Sequence, residues 1–148
     1  MKNIAHYIYE MFQLKQIRHS GWYMANIEDP DTVAEHALLA SQIGYILAEL
    51  EGADKQKVIE MLLFHDNPEV RIGDINKAHA RYITNKKEIE DRALDEQISL
   101  LPESLRQRMW DNHQEMEKKE TLEAQVVKDA DYLEMAFQAR VYQSQGNK

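Results

Sequence analysis

The chain is 148 residues long, about one ordinary domain and enough to bury roughly two-thirds of its unfolded surface, so residues 1–148 are read as a single domain. A composition of 43% hydrophobic and 30% charged residues excludes a disordered or membrane-embedded chain. The absence of cysteine excludes disulfides, thiolate metal sites and cysteine nucleophiles; a net charge of −8 argues against tracking along a nucleic-acid backbone but leaves a small phosphorylated substrate open.

The first predicted element is an amphipathic helix over 4–18, with Ile4, Ile8, Met11, Phe12 and Lys15 on one side. Its start carries Glu10, has no small-residue cleavage site and falls short of the ~20 apolar residues that span a bilayer, so no membrane partner is expected and the cytoplasm is the default location. A polar, glycine-containing stretch over 19–30 interrupts it. Thr32-Val-Ala-Glu35 then forms a capping-box pattern, in which hydroxyl and carboxylate satisfy the free amides of a helix start, and that helix runs to Gly52. Asp54 caps a helix over 55–66, stopped by Asn67-Pro68 because proline disfavours helical geometry in the residue before it. Beyond a loop through Gly73, helices are predicted over 86–100, over 102–119 with Pro102 in the first turn, and over 122–142 behind a Thr121 cap. No segment alternates like a strand, so the fold class is all-α: a bundle of about six or seven helices.

The most informative segment is Met61-Leu-Leu-Phe-His65-Asp66-Asn-Pro-Glu69. A histidine beside an aspartate at the end of an apolar helix calls for compensation, and a divalent cation supplies it, since imidazole nitrogen and carboxylate oxygen both suit Mn, Co, Zn or Fe, with Mg a further candidate ion. The plainer alternative has His65 capping the helix and Asp66 in water. His36 shares a helix face with Val33, Ala40, Ile43 and Leu47, and Asp131 shares one with Ala124, Val127 and Met135, whereas Asp129 is rotated outward. Singly these are ordinary core polar groups; together they are two imidazoles and two acids from three helices, suited to one dication with positions left for water and substrate. His6, His79 and His113 have no partner at metal spacing and are expected on helix flanks, and Trp110 with Met109 and Leu105 is expected in the core.

Leu14-Lys15, Gly21-Trp22, Pro30-Asp-Thr-Val-Ala-Glu-His36, His65-Asp66-x-x-Glu69, Gly73-Asp74-Ile75 and Val127-Lys-Asp-Ala-Asp131 form an ordered set along nearly the whole chain. In this set the chain resembles the HD-domain phosphohydrolases, specifically the 5′-deoxynucleotidase-like subgroup. The resemblance implies that His36, His65, Asp66 and Asp131 hold one divalent metal ion and that Glu69 and Asp74 line the substrate side. It also implies that Trp22 packs against a nucleoside, that the reaction removes the 5′-phosphate from (deoxy)nucleoside monophosphates, and that the protein is a homodimer. Glu69, three residues past the ligand pair, could handle the proton of the attacking water or leaving alkoxide; Asp74 could orient the water or bind a sugar hydroxyl, or simply cap a turn.

The chain departs from the family pattern in two places. Where the family carries an arginine two residues before Gly-Trp, this chain has His19 with Arg18 just ahead, and either could reach a phosphate. Family members also continue with a further helix after the one bearing Asp131. Three other chemistries fail on spacing: no histidine has a glutamate three residues before it, as a ferritin-like centre needs, and neither His-Glu-x-x-His nor a glycine-rich loop before Lys-Ser/Thr occurs. An HD phosphodiesterase or triphosphohydrolase, and a non-catalytic metal-binding HD module, remain as alternatives.

Overall fold

A computed structural model describes residues 2–147. Eight α-helices occur among them: α1 (Lys2–Met11), α2 (Val33–Glu51), α3 (Lys55–Phe64), α4 (Glu69–Ile72), α5 (Lys77–Ala80), α6 (Lys86–Ile98), α7 (Glu103–Lys118) and α8 (Leu122–Ser144). The six long helices are the six predicted ones, and α4 and α5 add a single turn each. Among the described residues there is no strand, only an isolated bridge between Arg18 and Thr32.

The chain divides into two compact units. One comprises residues up to Ala34 together with Asp66–Trp110, the other Glu35–His65 together with residues from Asp111 onward.

In the first unit, α1 ends at Met11 and tightens into 3₁₀ geometry over Phe12–Lys15 instead of continuing to residue 18. Its packed face also differs from the apolar stripe in the sequence. Ile4, Ile8 and Phe12 are exposed, while Tyr7 is buried. Polar anchors decide this orientation. The Tyr7 hydroxyl accepts from Asn67 Nδ2 at 2.9 Å, and Glu10 accepts from Arg71 Nε at 2.5 Å and from Gln97 Nε2 at 3.1 Å. Gln97, wholly buried on α6, also donates to the Asn67 carbonyl at 2.9 Å. Groups buried in this way must find partners, and the partners tie α1 and α6 to the segment that carries Glu69.

In the second unit, α2 ends on Gly52, whose φ of +75° is the left-handed conformation that glycine adopts without strain. Ala53 N then donates to Ala48 O at 2.9 Å, the six-to-one bond that satisfies a free carbonyl at a helix end. Asp54 accepts from the amides of Gln56 and Lys57, and Thr121 accepts from Ala124 N, so α3 and α8 start at the caps predicted for them. Ala40, Ala48, Val58, Met61, Leu62, Val126, Val127 and Ala130 form one buried cluster from α2, α3 and α8. Three of these eight are alanine. With Gly44 at the crossing, the helices approach closely enough that a Cβ built there would lie 2.2 Å from Leu62 Cδ1 and 3.0 Å from Val58 Cγ1.

Candidate metal centre

That close packing brings His36 of α2, His65 at the end of α3 and Asp131 of α8 together. His36 lies on the buried side of α2, one turn from Ala40, and is 1% exposed. His65 is the C-cap of α3, in the turn that ends the helix two residues earlier than the sequence predicts. Asp131 follows buried Val127 and Ala130, while Asp129 is exposed, as its rotation on the helix demands.

His36 Nε2 lies 3.0 Å from Asp131 Oδ1 and His65 Nε2 lies 3.8 Å from the same oxygen, with the two rings 5.4 Å apart between centroids. Both opposite nitrogens are engaged. His65 Nδ1 is 2.7 Å from the Leu62 carbonyl, and His36 Nδ1 is 2.6 Å from Glu134 Oε2. A carbonyl or carboxylate oxygen can only accept, so each Nδ1 carries a proton, and whenever the ring is neutral its Nε2 lone pair faces Asp131. A lone pair 3.0 Å from a carboxylate oxygen is repulsive unless a cation lies between them, either a proton on the metal-free ring or a metal ion. Ligands each ~2.0–2.2 Å from a dication stand about 3–3.6 Å apart at angles of about 90–110°, a range that the 3.0 Å separation meets and the 3.8 Å one slightly exceeds. The donor set therefore fits a divalent cation. In the metal-free chain burial pushes the Asp131 carboxyl up, but hydrogen bonds from His36 and His65, made when Nε2 carries a proton in place of a metal, outweigh it and hold the pKa well below the usual carboxylate range.

The remaining residues singled out by the sequence belong to the first unit. Asp66 directly follows His65 in the chain and is partly buried; Glu69 opens α4 and is also partly buried. Asp74 braces a neighbouring turn, since its Oδ2 accepts from Ser20 N at 2.5 Å and its carbonyl accepts from Ser20 Oγ at 3.1 Å. This clamps the 3₁₀ turn Ser20–Ala25, which presents partly buried Trp22. Arg18 donates to the Pro30 carbonyl at 2.8 Å and pairs with Asp29 at 2.9 Å, and His19 Nδ1 lies 3.2 Å from Asp31 Oδ2.

Two groups went unremarked in the sequence. Glu134 is one, a buried acid on α8 three residues past Asp131; by helical period it shares the Val127 stripe, the signal that could have found it. The other is Lys86. Burial lowers its pKa, but the hydrogen bond to Glu90 and the fields of Glu69 and Asp66 outweigh that and keep the ammonium charged beside two of the expected site acids. Two expectations are corrected. His113 is 8% exposed, buried on α7 rather than on a helix flank, and Leu105 is exposed rather than part of a core with Trp110.

A family model described as an HD domain matches residues 11–148, across both units. The 5′-deoxynucleotidase HDDC2 of Mus musculus is 32% identical over 136 residues, 92% of this chain and 68% of that protein. HDDC2 of Dictyostelium discoideum is also 32% identical, over 98% of this chain and 80% of its own length. Among solved structures, a conserved hypothetical protein from Pyrococcus furiosus is similar with a TM-score of 0.83 and 33% identity, over 97% of this chain and 81% of that one. A predicted metal-dependent phosphohydrolase from Magnetospirillum magnetotacticum gives a TM-score of 0.76 at 25% identity, over 93% of this chain and 69% of that one.

Proposed function

Because the chain belongs to the HD-domain family, we propose that it is a metal-dependent phosphomonoesterase that removes the 5′-phosphate from deoxynucleoside monophosphates. The convergence of His36 Nε2 and His65 Nε2 on Asp131, with both Nδ1 atoms engaged elsewhere, carries this reading. Asp66, next to His65 in the chain, is the fourth ligand to one divalent ion. Such an ion supplies Lewis acidity at a phosphoryl oxygen and acidifies a nearby water.

The chain's own residues do the rest. Glu69 takes the proton of the attacking water and returns it to the leaving 5′-oxygen, a transfer worth ~10²–10⁴-fold. Asp74 acts at the substrate side by holding the turn that carries Trp22, which packs on the nucleoside. Arg18 keeps three of its five N–H donors beyond the two bound here, and it or His19 receives the phosphate. All of this is read as one domain over 1–148, supported by a family model that spans both units. The exposed apolar side chains Leu38, Tyr45 and Ile46 on α2 support a homodimer, and the cytoplasm is the proposed location. Among the described residues, no helix is long and apolar enough to cross a membrane.

Phosphate release from a panel of deoxynucleoside monophosphates with added Mn or Co tests the reading, with a phosphodiester and deoxynucleoside triphosphates as comparison substrates. Turnover of monophosphates alone is the expected result. Preference for the diester or triphosphate would move the protein to another HD activity, and metal binding without any turnover would leave a non-catalytic module.

A further inference from the structure

We propose that Glu134 is a positioning residue for the metal centre: its buried carboxylate accepts the Nδ1 proton of His36 and so fixes which nitrogen of that ring is offered to the metal. This inference rests on the metal reading given above. Both groups are secluded, His36 at 1% and Glu134 at 2% exposure, and their Nδ1···Oε2 separation is 2.6 Å. A neutral imidazole in water exchanges its proton between two nitrogens, and only the form protonated at Nδ1 leaves Nε2 free to ligate. A carboxylate 2.6 Å from Nδ1 selects that form, because two facing acceptors would repel.

The placement follows from helix geometry. Asp131 and Glu134 are three residues apart on α8, one above the other on the same face. The single helix thus sets Asp131 at Nε2, 3.0 Å away, and Glu134 at Nδ1, 2.6 Å away, so the imidazole is gripped from both edges. In the equivalent place His65 Nδ1 meets the Leu62 carbonyl, a neutral acceptor fixed by the helix itself. Glu134 therefore adds what a carbonyl does not: a full negative charge that raises the electron density of His36 and strengthens its bond to a cation. A carboxylate is costly to bury, and this pairing explains why one is kept here.

The test is Co(II) binding by the full-length chain, followed through visible absorption and chelator competition, for wild type, Glu134→Ala and Glu134→Gln. Glu134→Ala is expected to weaken affinity by roughly 10–100-fold, and Glu134→Gln to recover part of that loss, since an amide oxygen accepts the same proton but lacks the charge. A merely structural carboxylate would instead lower the melting temperature of both variants and leave Co(II) affinity unmoved. That result overturns the proposal while sparing the metal centre; a wild-type protein that binds no Co(II) overturns both. Should Glu134→Ala not fold, the Zn-loaded wild type still decides the matter by ¹⁵N NMR. A hydrogen-bonded proton on His36 Nδ1 is expected, and a proton on Nε2 instead would refute the assignment.

Discussion

Replacing Gly44 by alanine sets two effects of known size against each other. In a helix interior, alanine is favoured over glycine by ~0.8–1 kcal/mol. The new methyl, however, would lie 2.2 Å from Leu62 Cδ1, far inside ordinary contact, with Val58 Cγ1 at 3.0 Å and Ala130 Cβ at 3.5 Å. Leu62 and Val58 are wholly buried, so neither has open space to move into. Overpacking costs about 1–3 kcal/mol, and a 2.2 Å contact against buried neighbours belongs in the upper part of that range, about 2–3 kcal/mol, which leaves a net destabilisation of about 1–2 kcal/mol once the helix preference is subtracted. For a chain of this length that lowers the melting temperature by ~3–8 °C. Far-UV circular dichroism during thermal unfolding reads it directly, and the Leu62→Ala background supplies the control. There the added methyl enters vacated space, and Gly44→Ala should stabilise rather than destabilise. An increase in melting temperature on Gly44→Ala in the wild-type background would refute the close approach of α2 to α3 that brings His36 toward His65.

Other outcomes follow from the same structure. Tyr7 has its pKa raised to about 12, chiefly by burial, so the folded chain holds the neutral phenol more firmly than the unfolded chain, whose value is near 10. The sign is then fixed: this stabilisation is full below pH 10 and is lost as pH rises toward 12, by about 2–3 kcal/mol in all, and urea unfolding should show Tyr7→Phe with a flatter decline over that range. Thr121→Ala removes the cap at the start of α8 that accepts from Ala124 N and should cost ~1 kcal/mol by the same assay. Glu69→Gln should keep its metal and lose ~10²–10⁴-fold in kcat, a separation visible by pairing elemental analysis with phosphate release. Asp66→Ala should lose both, whereas Asp129→Ala, altering an exposed side chain, should lose neither.

Much of this molecule is legible in the sequence wherever local chemistry and tertiary packing agree. Asp54, Thr121 and Gly52 mark helix ends because each satisfies groups that every helix leaves open, and they do so here as expected. His36 and Asp131 reveal themselves as polar groups in otherwise apolar stripes. The orientation of α1 does not, because a few hydrogen bonds from Tyr7 and Glu10 to residues 60 to 87 positions away outweigh the apolar stripe. α4 and α5 span one turn each, too short for a helical period to register. Glu134 escapes for a different reason: a glutamate amid helix-forming residues reads as a solvated side chain unless its place on the Val127 stripe is weighed, and its partner lies 98 positions away.

The most direct test of the metal centre is the metal content of purified wild-type and Asp131→Ala proteins after loading with Mn or Co and removal of the excess. One ion per wild-type chain and none in the variant is the predicted result. An Asp131→Ala protein as fully loaded as wild type would contradict a centre built on His36, His65 and Asp131.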